Sequence, residues 1–275
     1  MKKITYLLII LILASCQKED PGGIPSYIKI NSIDFEGNTS SYITDAWVYI
    51  NGQLQGVYEL PAKFPVLEQG NTNIKVYAGI KNNGIASNRI IYPFYSADTI
   101  NKLLNINSTT EIYPTVNIKG NIDGHLDDFE STFSFNYDSG FKVESSGNGN
   151  NYGSLTLSDS DSIIITEINY KDFPLIFNNV PQEGSPTYLE LDYKSNTLFL
   201  VGMYISTPNS PTIDRQLLLI NPKEDWNKIY IDLTQSVSEA IGAETFSIYI
   251  KMQRDTNLDK NKLDFDNIRI IHYEK

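Results

Sequence analysis

The sequence predicts an all-β protein built as two β-sandwiches in series, and three observations predict it. The composition is aromatic and strand-favouring, with 18 Tyr and 12 Phe beside abundant Ile, Thr, Ser and Asn, residue types that fit a pleated, half-buried surface. Short apolar or alternating runs recur between Gly, Pro and Asn clusters, which is how strands and turns punctuate a sandwich. Long stretches of helical period are missing, and the best helical candidate, residues 235–243, has room for one or two turns. A chain of 275 residues accommodates one large or two ordinary domains.

In chain order the first element is a leader. Lys2 and Lys3 precede a mostly apolar run over residues 4–13 and the small residues Ala14 and Ser15, the pattern of a secretion signal covering residues 1–15. The run is about half of the roughly 20 residues that a spanning helix needs. Cys16 is the only cysteine, which excludes an intrachain disulfide and leaves burial and strand pairing to hold the fold. The segment Leu13-Ala14-Ser15-Cys16 resembles the lipobox of bacterial lipoproteins. That resemblance implies a diacylglycerol on the Cys16 thiol, cleavage before it, acylation of the new amine, and attachment to a membrane through lipid. Each buried methylene contributes about 0.8 kcal/mol, so two or three chains hold a protein on a bilayer durably. Behind the cysteine, Gln17-Lys18-Glu19-Asp20 resembles the lipoprotein export signal of the Bacteroidota, which implies the outer face of the outer membrane. Residues 16–24, with Pro21-Gly22-Gly23, then read as a lipidated tether.

Loss of residues 1–15 removes two lysines and no acid, taking the formal charge from −11 to −13. Binding to a phosphate backbone needs a concentrated basic surface, and the mature chain has no run of basic residues, so nucleic acid is excluded as a partner.

The first sandwich is expected over residues 25–118. Its clearest element is a hairpin in which residues 46–50 run into Asn51-Gly52 and out along residues 53–58, since both turn residues accept the positive φ of a type I′ turn. Further strands are expected at 27–31, 73–78, 85–92 and 111–118. The stretch Val48-Tyr49-Ile50-Asn51-Gly52, with Gly56, Leu67, Gly70 and Val76 beyond it, resembles a PEGA-type or other immunoglobulin-like envelope module over about 30 residues. It departs from the PEGA pattern by lacking Thr-Pro after the second glycine and by inserting residues 59–65. The resemblance implies an immunoglobulin-like sandwich.

Residues 119–127 are rich in Gly, Asn and Asp without an apolar period, and read as a linker. A second sandwich follows over residues 128–275, with strands expected at 130–135, 141–144, 154–157, 162–168, 187–193, 198–205, 216–220, 226–233, 246–252 and 263–273. So many strands over about 150 residues fit a jelly roll. Asp128-Phe129-Glu130, the segment from Asp225-Trp226 to Asp232-Leu233, and Leu263-Asp264-Phe265-Asp266-Asn267-Ile268-Arg269-Ile270 resemble, in this order, the galactose-binding-like jelly rolls of carbohydrate-binding modules.

The chemistry-bearing residues are few. His125 and His272 are the only histidines, neither stands near a Gly-x-Ser-x-Gly elbow, and no paired histidines offer a zinc site. Glu190-Leu191-Asp192 opens like the acidic motif of sandwich glucanases, but Lys194 and Ser195 occupy the places of its second Glu, so these acids read as the solvated side of a strand. No catalytic set emerges, and the chain is read as not an enzyme. Asp255, Asn257 and Asp259 share EF-hand ligand spacing, with Lys260 in place of the required glycine. The jelly-roll resemblance implies instead a structural calcium held by Asp128, Glu130 and Asp266, since clustered acids repel unless a cation lies between them. Glycan binding requires an exposed aromatic platform beside amides and hydroxyls. Tyr152, Tyr193 and Tyr204, with the loop at 148–151, are the candidates, whereas Trp226, entering an apolar strand, reads as core. The expected role is therefore binding or adhesion at the cell surface toward glycan. A structural subunit partnered by envelope proteins and a polysaccharide-processing enzyme are the alternatives.

Overall fold

The computed structural model describes residues 23–37, 39–130, 141–157, 163–167 and 180–275, so the expected signal, the lipidation site Cys16 and most of the tether lie outside the described residues. Ten strands occupy the first part: β1 (Ser26–Ile30), β2 (Asp34–Glu36), β3 (Asp45–Ile50), β4 (Gln53–Glu59), β5 (Ala62–Val66), β6 (Gly70–Lys81), β7 (Arg89–Ile91), β8 (Ala97–Leu104), β9 (Thr109–Ile112) and β10 (Thr115–Asn117). The second part holds β11 (Ile122–Asp127), β12 (Phe141–Ser145), β13 (Asn151–Leu157), β14 (Ile163–Glu167), β15 (Thr187–Ser195), β16 (Phe199–Ser206), β17 (Ile213–Ile220) and β18 (Lys223–Asp232). It closes with the short helix α1 (Thr234–Glu239), β19 (Thr245–Gln253) and β20 (Asn261–Tyr273). Among the described residues no helix is long and apolar enough to cross a membrane.

In the first part, β4, β3, β6 and β7 form one sheet in that order, with β8 also on β6, facing a smaller sheet of β5, β1 and β9. The Asn51-Gly52 turn forms as the sequence predicts: both residues have positive φ, +49° and +83°, and β3 pairs antiparallel with β4 across it. The expected strand at 85–92 shrinks to β7, because Asn83 and Gly84 take positive φ and the Asn82 N–H bonds to the Asn88 carbonyl, folding the start of that run into a turn.

In the second part a sheet runs β12-β13-β20-β15-β18, and a second runs β14-β19-β16-β17. Their inner faces enclose one apolar core that includes Leu189, Leu191, Val201, Ile250, Leu263 and Phe265. The long strand β20 pairs with β15 along one edge, while β13 and then β11 share the other. Residues 122–127, expected to be linker, are therefore a strand. The edge of β20 at Ile268–Tyr273, left open beyond β13, supplies the backbone partners that their polar side chains do not advertise.

The two parts are packed together. Tyr188, Tyr230 and Ile271, on the outer face of the β20-centred sheet, belong to the same apolar cluster as Tyr92, Phe94 and Tyr95 of the first part. Tyr92 meets Tyr188 edge-on at 5.4 Å and Tyr230 at 4.8 Å between ring centres. The Asn83 N–H bonds to the Tyr230 carbonyl at 2.9 Å, and the Tyr273 hydroxyl donates to the Pro93 carbonyl at 2.6 Å.

Candidate functional site

Period-two alternation sends Leu189, Leu191 and Tyr193 of β15 into the core and leaves Tyr188, Glu190, Asp192 and Lys194 on the outer face of the sheet. The first part covers only one end of that face. Along β15 the face therefore passes from covered aromatic packing at Tyr188, through a buried ion pair, to open surface at Lys194.

The ion pair is formed by Glu190 and Lys228, whose Nζ and Oε2 atoms lie 3.1 Å apart with side chains only 1% and 4% exposed. Glu190 Oε1 also accepts the Tyr92 hydroxyl at 2.6 Å, and Lys228 reaches Asp192 at 3.5 Å. The acids at 190 and 192 thus do not line a solvated strand face as expected. The first part lands on them, and burial is tolerated because Lys228 supplies the compensating charge. Burial among these groups also pushes the hydroxyls of Tyr92 and Tyr230 well above the ordinary tyrosine range, with Glu190 adding to the rise.

Asp192 and Asp266 stand directly opposite each other on β15 and β20. Asp192 Oδ2 accepts from the Asn267 side chain at 2.9 Å and from the Ser40 hydroxyl. Asp266 accepts from Asn150 Nδ2 at 3.1 Å and from its neighbour's N–H at 2.7 Å. Desolvation, which outweighs these bonds, and the charges of Asp192 and Asp128 push the Asp266 carboxyl up to about 6. These acids floor a hollow of about 320 Å³, walled by Trp226 and Asn227 on one side and by Ser40, Ser41 and Tyr42 of the first part on another.

Beyond the hollow the face is open. Trp226 is 45% exposed and meets Tyr152 of β13 edge-to-face at 5.5 Å. Lys194 Nζ lies over the Trp226 ring at 5.6 Å, and Lys262 Nζ over the Tyr152 ring at 5.9 Å. Those lysines are held in turn by acids: Asp264 contacts both, and Glu144 contacts Lys262 at 3.0 Å and accepts the Tyr152 hydroxyl at 3.1 Å. The Lys262 ammonium holds the Glu144 carboxyl below its usual range, while burial and the bond to Glu144 push the Tyr152 hydroxyl up. A second hollow of about 280 Å³ borders the pair through Lys194, Lys262 and Asp264.

Of the predicted platform residues, the structure brings only Tyr152 to this surface. Tyr193 is 3% exposed and packs on Phe199 in the core. Tyr204 lies on β16 in the opposite sheet, half-buried against Tyr249 at 4.6 Å. Trp226, expected in the core, is the exposed ring. The signal was available: Lys223, Glu224, Asp225 and Asn227 surround it, and the buried run of β18 starts only at Lys228. The walls at Ser40 and Tyr42 carried no signal, since they come from the other half of the chain.

The expected calcium ligands hydrogen-bond to different partners. Asp128 accepts the Glu130 N–H at 3.1 Å, Glu130 accepts from the backbone and side chain of Asn151, and Asp266 faces the hollow. Among the described residues no group of three or more His, Cys, Asp or Glu lies together as a metal site requires. In the loop with EF-hand spacing, Asp255 Oδ1 instead accepts the backbone and side-chain N–H groups of Asn257, both at 2.9 Å. His272 is buried on β20 with Nδ1 against the Tyr273 carbonyl, and His125 lies on β11.

No protein-family model and no curated protein matches the chain. Among solved structures it is similar to a family 11 carbohydrate-binding module from Clostridium thermocellum, described in complex with a β-1,3-1,4-mixed-linked tetrasaccharide. The identity is 16% over 54% of this chain and 94% of that one, with a TM-score of 0.35. It is also similar to a family 30 module of a cellulosomal cellulase of the same organism, at 15% identity over 54% and 90% of the chains and a TM-score of 0.35. A family 29 module from Piromyces equi matches at 13% identity over 56% and 82%, with a TM-score of 0.32. The all-β fold rests on the strand pairing above, not on these likenesses.

A larger hollow of about 600 Å³ lies over the other sheet, between Leu198, Leu219 and Arg254.

Proposed function

We propose that this chain is a non-catalytic glycan-binding protein, anchored through a lipidated Cys16 and displayed on the outer face of an outer membrane. The observation that carries the binding role is the exposed Trp226 packed edge-to-face on Tyr152. Sugar rings present C–H groups on their faces and hydroxyls on their edges, so an aromatic ring beside amides, carboxylates and ammonium groups satisfies both. Asn150, Asn227, Lys194 and Lys262 supply polar partners around the two rings, with Asp266 at the floor of the hollow. The first part, read as an immunoglobulin-like sandwich, spaces the site from the membrane. Cys16 and the charged cluster behind it support the address.

The test is a glycan array probed with the full chain and with Trp226→Ala. Binding by the wild type, lost in the variant while its melting temperature is retained, is the expected outcome. Absence of any bound glycan, or binding indifferent to Trp226, overturns the reading.

One observation favours a second reading, a polysaccharide hydrolase. Asp192 and Asp266 are cross-strand neighbours, and the Asp266 carboxyl sits at about 6, in the range of a general acid. Against it, Asp192 is tied to Ser40, Asn267 and Lys228, which leaves it poorly placed to attack. Release of reducing sugar from a polymer, abolished in Asp266→Asn, would establish the hydrolase instead.

A further inference from the structure

We propose that the hollow between Trp226 and Tyr42 receives the terminal unit of a glycan chain, with the segment Ser40–Tyr42 of the first part as the wall that rejects chain interiors. This rests on the glycan-binding reading and narrows it from a sugar surface to an end-recognising pocket.

The closure follows from where the first part lands. Its aromatic residues Tyr92 and Tyr95 cover the same sheet face at Tyr188 and Tyr230, and another hollow of about 380 Å³, lined by Lys81, Asn83 and Leu219, shares only Tyr42, Asn227 and Lys228 with this one. At the frontier, the wall is fastened at both ends. The Ser40 hydroxyl donates to Asp192 and accepts from Lys228 Nζ at 3.1 Å, and the Tyr42 N–H donates to the Tyr230 hydroxyl at 2.9 Å. Trp226 and Asn150 also line the hollow.

Size and chemistry agree with a single terminal unit. The volume of about 320 Å³ lies at the low end of the roughly 300–1,000 Å³ of small-molecule sites. A unit inside a chain has to enter and leave through two openings, and the first part obstructs one. A terminal unit also carries a free hydroxyl where an interior unit carries a glycosidic link. The floor offers acceptors for it, since each carboxylate oxygen has two lone pairs and Asp266 spends one bond on Asn150 and one on the Asn267 backbone. Trp226 provides the stacking wall.

The experiment is competition for the full chain between immobilised and soluble polymer, with mixed-linkage glucan, xylan and mannan as probes. Each is offered intact and after partial endo-hydrolysis that raises the number of ends about tenfold at constant mass. For the polymer that binds, the hydrolysate is expected to compete about tenfold better by mass, and Tyr42→Ala to shrink that advantage below about threefold. Competition that tracks mass regardless of ends, with Trp226→Ala still abolishing binding, overturns end recognition and leaves glycan binding standing. Binding by none of the three polymers, intact or hydrolysed, overturns end recognition, and absence of binding across the glycan array as well overturns the glycan-binding reading.

Discussion

The Tyr92 hydroxyl of the first sandwich donates to Glu190 Oε1 of the second at 2.6 Å, in a site where neither residue is more than 1% exposed. One half of the chain thereby helps to solvate a charge buried in the other. Glu190 holds Lys228, and Lys228 holds Ser40 of the first part, so the network crosses between the halves twice.

Removing one member leaves a buried charge uncompensated, so Lys228→Ala is expected to cost roughly 3–5 kcal/mol. The double replacement Glu190→Leu with Lys228→Met removes both charges and is expected to recover most of that loss. Denaturant melts of the single and double variants measure it. A single variant as stable as the wild type would show that the pair is not buried.

Tyr92→Phe deletes only the hydroxyl that serves Glu190. The expected cost is about 1.5–3 kcal/mol, the range for a hydrogen bond to a charged group. Because the two cores meet at this point, unfolding followed by Trp47 in the first part and by Trp226 in the second should coincide. Separate transitions would mean that the halves fold independently.

Asp266 carries the clearest dependence on pH. Its folded carboxyl sits at about 6, above the roughly 3.9 of an unfolded chain. The folded state therefore holds the proton more tightly. The group's favourable contribution is complete below about pH 4 and is lost as pH rises through about 6. Asp266→Asn removes that loss, so its stability relative to the wild type should rise between pH 4 and 7 by an amount on the order of 1 kcal/mol. Melting temperatures across that range check the sign, and a relative stability that falls with pH would refute it.

The acids expected to bind calcium face different partners. Millimolar calcium and excess chelator should therefore give melting temperatures agreeing within about 1 °C, because only a ligand that prefers the folded state shifts the midpoint. A rise of several degrees with calcium would restore the site.

Strands were legible in the sequence where side chains alternate, as in β19, and the β3–β4 hairpin was legible because Asn51 and Gly52 tolerate positive φ. β11 was not, since its polar residues form a strand only because β20 offers them an edge. The site was legible in part. Tyr152 stood out by composition, whereas Trp226, Asp192 and Ser40 depend on which portion of the sheet the first sandwich covers. That is a long-range packing outcome with no local periodicity to announce it. Glu190 shows the same limit, reading as a solvated acid yet buried by residues about 100 positions earlier.

The open face at Trp226 is the centre of the account, and the chain's two tryptophans make it directly observable. In a Trp47→Phe variant all tryptophan emission comes from Trp226, so titration with a glycan bound by the full chain reports on that ring alone. A saturable change in emission, with a midpoint equal to the calorimetric Kd, is the predicted result. Calorimetric binding that leaves Trp226 emission unchanged would place the glycan elsewhere and contradict the account.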